Sequence, residues 1–311
     1  MTTQLTVYQD TSAVVNLVLD GLTSEHSKRA YSTALADFLG WHAEQGRPAL
    51  SKALVQAYKS RLEADGLAPA TVNLRLSAIR KLAVEAADNG LLDPVLAQGI
   101  ARVHGVKQAG TRSGNWLTRE QAQQLLDCPD VSTFKGRRDR ALLAVLLGCG
   151  LRRSECAALT FEHIQQREGR WCIVDLVGKG KRVRTVPMPS WAKAAVDEWA
   201  HAAGIADGLL DTMNAGRVFR SVNKGGWVNG DGMTSQAIAD VVHLYARVCG
   251  LDGFACHDAR RTWAKLAHKG GADLGQIQLT LGHASIQTTE KYLGVAQDLT
   301  DAPCDVLGLR L

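Results

Sequence analysis

The chain has 311 residues, of which 46% are hydrophobic and 22% are charged, and its net charge is +5 at pH 7. This length is sufficient for two domains with separate cores, and the hydrophobic share is ordinary for a soluble globular protein. No apolar run reaches the roughly 18 residues of a membrane span, and the N-terminus lacks the basic start and apolar stretch of a signal peptide. We therefore predict a cytoplasmic protein with no membrane partner.

Cysteine spacing and local charge narrow the protein class. The seven cysteines lie at irregular intervals without a Cys-x-x-Cys pair, a pattern that suits neither a disulfide framework nor a zinc site. The mildly basic net charge is compatible with a polyanionic partner. Basic residues concentrate in segments 135–140 and 179–184. Such a run is usually a solvated face, but it can also contact phosphate groups.

The N-terminal third is predicted to be all helical. Residues 1–20 show no clear helical pattern, and a helix is expected to begin near Thr23 or Ser24, either of which can cap it. Apolar residues at helical spacing predict further helices, which span about Lys52–Ala64, Ala70–Asp88 and Pro94–Val103. We therefore expect a helical domain over residues 1–106.

A change of composition separates this domain from the rest of the chain. The residues from Gly105 to Asn115 are polar and glycine-rich and have no apolar period, which predicts a linker at 107–116. Thr118 then caps a new helix, and the glutamine three residues later completes a capping box. A second domain is expected over residues 117–311.

This second domain is predicted to be mainly helical with a small antiparallel sheet. Segments 171–177 and 182–187 alternate like strands, and Gly178–Lys181 between them form a hairpin turn. Helices are expected at about 141–147, 190–203, 235–248, 257–268, 274–281 and 285–293. The glycine-rich segment 214–232 stays unassigned apart from a short strand at Val218–Phe219.

Separated arginines, histidines and a late tyrosine suggest phosphoryl transfer. Attack on a DNA phosphodiester needs an in-line nucleophile, neutralised non-bridging oxygens and a proton for the leaving oxygen. Tyr292 can supply the nucleophile, and arginine is the better clamp because its planar fork binds two oxygens. Arg152 lies at a predicted helix junction where Glu155 can hold its side chain, although an ordinary surface pair would have the same spacing.

Two histidines and a lysine complete the candidate set. His257 and Arg260 are three residues apart, so one helix face can present both to a phosphate; a core histidine beside a solvated arginine would show the same pattern. His283 lies on the turn before the Tyr292 helix, where it can equally be a polar loop residue. Lys179 occupies a glycine-flanked hairpin tip, a suitable place for a proton donor or simply a basic turn.

Three motifs follow one another in the order of a known family. They are Gly-Leu-Arg-x-x-Glu at 150–155, His-x-x-Arg at 257–260 and Leu-Gly-His…Thr-Thr…Tyr at 281–292. By the order of these motifs, the chain resembles the tyrosine recombinase (phage integrase) family, which includes the Xer and Cre recombinases. The resemblance covers nearly the whole length of the chain. The resemblance implies a mainly α fold: a helical core-binding (SAM-like) domain and an α+β catalytic domain with a small antiparallel sheet.

The resemblance also implies how the reacting atoms would be handled. Tyr292 would be the nucleophile, His257 would accept or position its proton, and Lys179 would protonate the leaving 5′ oxygen. The reaction would be a transesterification without metal or other cofactor, forming a 3′-phosphotyrosyl link. Two rounds of it would exchange strands through a Holliday junction.

The phosphate and the remaining DNA contacts follow from the same resemblance. Arg152 and Arg260 would clamp the scissile phosphate and His283 would hydrogen-bond it, while Glu155 would support the clamp without touching DNA. The sequence departs mildly from the family at Arg261, where many members carry histidine or lysine; this residue stays cationic and cannot serve as a titrating base. Three arginines are predicted to face DNA, namely Arg75, Arg80 and Arg261.

Assembly and biological role are expected to follow the simpler family members. We expect no arm-binding domain, which favours a recombinase acting on double-stranded DNA with short inverted-repeat core sites. Four protomers, monomeric when free, would assemble on two such sites in the nucleoid, and the need for an accessory protein stays open. The apolar tail at 306–311 can pack on its own domain or fray, but the resemblance implies that it docks on a neighbouring protomer.

Two other functions remain open at this point. A type IB topoisomerase shares much of this chemistry but relaxes a single duplex as a monomer, and the core-binding domain and Leu-Gly-His motif argue against it. A DNA-binding regulator without catalysis is the alternative from a different class. The intact set of candidate residues argues against that alternative.

Overall fold

The computed structural model describes residues 11–107, 115–178, 182–204, 216–223 and 225–294. The chain divides into two compact units, Met1–Arg112 and Ser113–Leu311, each of which we describe by itself. Most of the linker predicted at 107–116 lies outside the described residues. Over the described ranges, no helix combines the length and the apolar character needed to cross a bilayer.

Five helices form the first unit: α1 (Thr11–Asp20), α2 (Glu25–Glu44), α3 (Lys52–Ala64), α4 (Pro69–Asp88) and α5 (Pro94–Ala101). Their apolar faces meet in one core, in which Phe38 and Tyr58 are fully buried. Local signals explain why α3 and α5 begin as the sequence predicts. The Ser51 hydroxyl caps α3, and the Asp93 carboxylate caps α5, where Pro94 fills the first turn.

The first helix, α1, was not predicted, since residues 1–20 show no clear helical pattern. Val14 and Val18 are one turn apart and both are buried in the core of this unit. Valine has a weaker helix propensity than leucine or alanine because its branched side chain is restricted in a helix. Packing of this valine face against α2 and α4 stabilises the helix, and local propensity does not reveal that packing.

The second unit is built from eight helices in the part of the chain that the structure describes. They are α6 (Arg119–Asp127), α7 (Phe134–Cys149), α8 (Arg153–Ala158), α9 (Ser190–Ala202), α10 (Ser235–Val248), α11 (Cys256–Lys269), α12 (Leu274–Leu281) and α13 (Ile286–Leu293). Thr118 forms the predicted capping box at the start of α6. The predicted fold class, mainly helical with a small antiparallel sheet, is confirmed.

The central helix of this unit is α7. Every residue from 141 to 147 is buried, because α6, α9 and α11 pack around the helix. A helix that is apolar on all sides is stable only in such an interior position. Gly150 ends α7 in the left-handed conformation, with φ of 61°, and turns the chain toward Arg152.

The main sheet has three antiparallel strands in the order β1 (Ile164–Arg167), β2 (Arg170–Val177), β3 (Val183–Pro187). β2 and β3 form the predicted hairpin, with a bulge near Asp175, where φ is 53°. The tip of the hairpin, residues 179–181, lies outside the described residues. β1 was not predicted, because its sequence contains a single apolar residue and its order comes from pairing with β2.

A second, two-stranded sheet joins β4 (Ser221–Val222) to β5 (Val228–Asn229). The strand predicted at Val218–Phe219 is therefore misplaced by three residues. Both of those side chains are buried, which produced the strand-like signal. Their backbone instead makes single hydrogen bonds to other segments, one of them from the Val218 amide to the Leu159 carbonyl at 2.8 Å.

Candidate active site

Glu155, in the first turn of α8, is the centre of a buried charge cluster. Its Oε2 accepts a hydrogen bond from the Arg152 amide at 2.8 Å, and its Oε1 accepts one from Arg152 Nη1 at 2.7 Å. Only 2% of its side chain is exposed, whereas 27% of the Arg152 side chain is. Burial alone would raise the pKa of Glu155, but hydrogen bonds from arginines and the Arg152 amide hold it below its usual value.

A second arginine in this cluster, Arg184 on β3, was not singled out from the sequence. Its Nη1 and Nη2 donate to the two oxygens of Glu155 at 2.9 and 2.8 Å, and its Nε donates to the Thr280 carbonyl at 2.8 Å. A sequence signal did exist. Arg184 and Val186 alternate with exposed residues on β3, so a charged residue falls on the strand's inward face and requires an internal partner.

Arg260, on α11, is the most deeply buried arginine of this cluster. Its residue exposure is 1%, so it is not the solvated arginine that its motif also allowed. Nη1 donates to the Gly150 carbonyl at 2.7 Å, and Nη2 donates to the Leu281 carbonyl. Burial, the positive charge of Arg152 and the other cations nearby lower its pKa to about 10, against the opposing effect of Glu155, so it remains charged at neutral pH.

Both predicted histidines lie against the ring of Tyr292. The ring centroids are 5.5 Å apart for His257 and 5.2 Å apart for His283, in each case edge to face. The Tyr292 hydroxyl donates a hydrogen bond to the His257 carbonyl at 3.4 Å. His283 Nδ1 lies 3.0 Å from the hydroxyl of Thr289, which is fully buried. These contacts bring α11, the turn after α12, and α13 to one point.

The surroundings of this cluster determine its protonation. Burial, followed by the nearby arginines, lowers the pKa of His257 and lowers that of His283 to about 4. Burial raises the pKa of Tyr292, against the opposing effect of Arg260 and Arg261. At neutral pH the two imidazoles are therefore neutral and the phenol is protonated, the combination that a proton transfer from phenol to imidazole requires.

Arg261 contacts the tyrosine rather than standing free. Its guanidinium lies 5.2 Å from the centroid of the Tyr292 ring, and its Nη1 is 3.4 Å from Asp258 Oδ1. A cation over a tyrosine face is attracted by the ring quadrupole. Its assignment as a DNA-facing residue stays a prediction.

A cavity of about 470 Å³ opens beside the charge cluster. Its lining includes the predicted site residues Arg152, His257 and Arg260. The predicted proton donor Lys179 lies outside the described residues. Its neighbour Gly178 is described: the Gly178 amide donates to the Arg182 carbonyl at 2.7 Å and closes the base of the hairpin.

The two DNA-contact candidates of the first unit have partners within that unit. Arg75 Nη1 is 2.6 Å from Asp37 Oδ2, and Arg80 Nη2 donates to the Val103 carbonyl. Both side chains are partly exposed. Their predicted contact with DNA would need these internal contacts to be shared or exchanged, and it stays a prediction.

Comparison with known proteins identifies the family. Residues 115–298 match the phage integrase family, and residues 16–90 match the phage integrase N-terminal SAM-like domain. The chain is 30% identical to the tyrosine recombinase XerD of Pseudomonas putida over 290 residues and 31% identical to the tyrosine recombinase XerC of Myxococcus xanthus over 288 residues. Both alignments cover 88% of each chain.

Solved structures show the same fold at low sequence identity. The XerH site-specific recombinase bound to its difH substrate matches with a TM-score of 0.64 at 18% identity, over 88% of this chain and 76% of the other. A lambda integrase dimer bound to a COC′ core site matches with a TM-score of 0.66 at 15% identity, over 93% and 96% of the two chains. By its sequence matches, the chain belongs to the phage integrase family and is a tyrosine recombinase.

Proposed function

We propose that this protein carries out site-specific recombination by cutting and rejoining double-stranded DNA with Tyr292 as the nucleophile. The observation that carries the proposal is the contact of the Tyr292 ring with both His257 and His283. Arg152 and Arg260 lie in the same cluster. A phenol can attack phosphorus, an imidazole can accept its proton, and guanidinium groups can stabilise the charge that builds on the phosphate oxygens without a metal.

The proposed cleavage step is a transesterification in which one phosphorus–oxygen bond replaces another. The Tyr292 oxygen bonds to phosphorus as the bond to the 5′ oxygen breaks, leaving a 3′-phosphotyrosyl link. The phenolic proton passes to His257, and Lys179 donates a proton to the departing 5′ oxygen. Attack by the 5′ hydroxyl of a partner strand reverses the step, and two rounds exchange strands through a Holliday junction.

The arginines neutralise the negative charge on the phosphate oxygens. Arg152 lies at the cavity wall with about a quarter of its side chain exposed, and Arg260 directs two of its five N–H groups to carbonyls, which leaves others for a phosphate. If the Thr289 hydroxyl donates to His283 Nδ1, the opposite nitrogen carries the proton and donates to a phosphate oxygen.

The assembly is proposed from the family and from the DNA-bound relatives. We assign residues 1–106 to core-site binding and 117–311 to catalysis. Four protomers, monomeric when free, act on two inverted-repeat sites, with or without an accessory protein. The segment 306–311, which would couple neighbouring protomers, lies outside the described residues.

The test is covalent trapping on a nicked substrate that loses its 5′ fragment after cleavage. Inverted repeats found beside the gene supply the DNA. The wild-type protein should give a DNA adduct on a denaturing gel, whereas Tyr292→Phe should give none and still bind, since only the nucleophilic oxygen is lost. An adduct formed by the phenylalanine variant would place the nucleophile elsewhere.

The same samples separate the two other functions. Relaxation of supercoiled plasmid that lacks the site would favour a type IB topoisomerase. The absence of any adduct with the wild-type protein, despite specific binding, would favour a regulator. Recombination between two sites on one plasmid is the outcome that the proposal requires.

A further inference from the structure

The side chain of Arg184 joins segments that are far apart in the sequence. It bonds both carboxylate oxygens of Glu155 on α8 and the Thr280 carbonyl in the last turn of α12. Only 8% of the side chain is exposed. One guanidinium group therefore links β3 to the start of the Arg152 helix and to the end of the helix that precedes His283.

The glycines around Arg184 show how closely it is enclosed. A Cβ on Gly178 would lie 2.9 Å from Arg184 Nη1, and a Cβ on Gly282 would lie 3.0 Å from Arg184 Cδ. Both distances are shorter than ordinary van der Waals contacts, so a side chain at either position would displace Arg184. Gly178 precedes Lys179 and Gly282 precedes His283, so both glycines adjoin residues of the proposed site.

Arg184 and Arg152 both bind the Glu155 carboxylate, but they do so with different numbers of side-chain hydrogen bonds. Arg184 donates one hydrogen bond to each carboxylate oxygen. Arg152 needs to give the carboxylate only Nη1 of its side chain, and it is the one of the two that lines the cavity. Without Arg184, a buried carboxylate with unmet hydrogen bonds would compete with a phosphate for the Arg152 fork.

Arg184 also binds the C-terminal end of helix α12. The carbonyls of Thr280 and Leu281 at its C-terminus are bound by Arg184 and Arg260 respectively. Cations stabilise this end of a helix, where carbonyls lack helical partners. The turn that carries His283 therefore begins from a helix end fixed by two arginines.

We propose that Arg184 is a positioning residue for strand cleavage, which holds Arg152 through Glu155 and the His283 turn through Thr280 without touching DNA. This inference rests on the proposed function, because it concerns the rate of the same cleavage step.

The test measures single-turnover cleavage of the nicked substrate by the full chain, reading the rate constant and the amplitude separately. Arg184→Met should lower the rate constant by about 100-fold, since misplacement of a catalytic group by about 1 Å has that effect. Half-site affinity and amplitude should be retained. A role confined to folding would lower the amplitude and leave the rate constant unchanged, which would overturn the proposal.

Matched variants keep the result interpretable. Arg167→Met removes an exposed arginine from β1 of the same sheet and should leave the rate constant unchanged. Arg184→Lys keeps a positive charge against Glu155 but cannot hold both oxygens and the Thr280 carbonyl, so its rate constant should still fall at least about tenfold. If Arg184→Met does not fold, the lysine variant decides the matter.

The outcomes also separate this proposal from the one it rests on. A wild-type protein that forms no covalent adduct contradicts the proposed function itself. If the wild-type and Arg167→Met proteins cleave and both Arg184 variants match their rate constant, the positioning role alone is wrong.

Discussion

At the scale of single residues, the site depends on groups whose protonation is set by their surroundings. Burial raises the pKa of Tyr292 and lowers the pKa of His257, so the phenol retains its proton until a base removes it. The pKa of His283 is lowered to about 4. A neutral imidazole at this position avoids adding a further positive charge beside Arg260, Arg152 and Arg184 when no DNA is present.

The shifted pKa of His283 predicts a pH dependence of stability. Unfolded histidine binds a proton near pH 6.5, whereas folded His283 does so only near pH 4. Between these values the unfolded state binds more protons, so the free energy of unfolding should fall as the pH is lowered from 6.5 to 4. The contribution from His283 is fully present above pH 6.5.

Urea unfolding at several pH values measures this effect. His283→Gln should show a shallower loss of stability with acid than the wild-type protein. His268→Gln, which changes an exposed histidine of the same unit, should retain the wild-type slope. Equal slopes for all three proteins would show that folding does not lower the pKa of His283.

At the scale of secondary structure, the sequence predicts what local side chains determine. The starts of α3, α5 and α6 agree with the prediction because a capping side chain lies next to each boundary. α1 and β1 were not predicted, because α1 is stabilised by packing in the core and β1 by pairing with β2. Arg184 was not singled out from the sequence for a similar reason, because its partners Glu155 and Thr280 are 29 and 96 residues away.

The sequence motifs identify most of the candidate site residues, but they do not identify the contacts that hold these residues in place. The structure brings Arg152, His257, Arg260, His283 and Tyr292 together in one unit. Motif spacing made them visible because these side chains recur in a known family. The contacts of Arg260 with backbone carbonyls depend on where α7 and α12 end, and the spacing of residues in a motif does not predict such contacts.

Gly282 and Gly250, two of the glycines with positive φ, allow a controlled test of the turn that follows α12. Both have positive φ, 64° and 67°, but a Cβ on Gly250 meets nothing within 4 Å, while one on Gly282 meets Arg184. Gly250→Ala should cost about 1 kcal/mol through backbone strain alone. Gly282→Ala should cost more and should also slow cleavage.

Urea unfolding and single-turnover cleavage of both alanine variants check this prediction. If Gly282→Ala loses no more stability than Gly250→Ala and cleaves at the wild-type rate, the close packing of Arg184 against this turn has no consequence.

At the scale of the whole molecule, internal ion pairs reduce the charge available to DNA. In the basic segment 135–140, Arg138 is buried against Asp139, and Arg140 pairs with Glu198. This segment therefore offers fewer phosphate contacts than the sequence indicates. The mild net charge of +5 leaves DNA binding dependent on the local placement of the remaining cations.

Binding by two domains predicts a steep dependence of affinity on salt. Each neutralised phosphate contributes a slope of about −0.9 to a plot of log affinity against log salt. Contacts from both domains should give a slope of several units, measured by fluorescence anisotropy with a labelled half-site. A slope near that of a single contact would contradict binding by both domains.

The central claim is that Tyr292 becomes covalently joined to a DNA 3′ phosphate. The most direct measurement is mass spectrometry of the protease-digested adduct formed by wild-type protein on the nicked substrate. We expect a peptide that carries a 3′-phosphate-linked nucleotide on Tyr292 and a released fragment with a free 5′ hydroxyl. A nucleotide attached to any other residue, or linked through a 5′ phosphate, would contradict it.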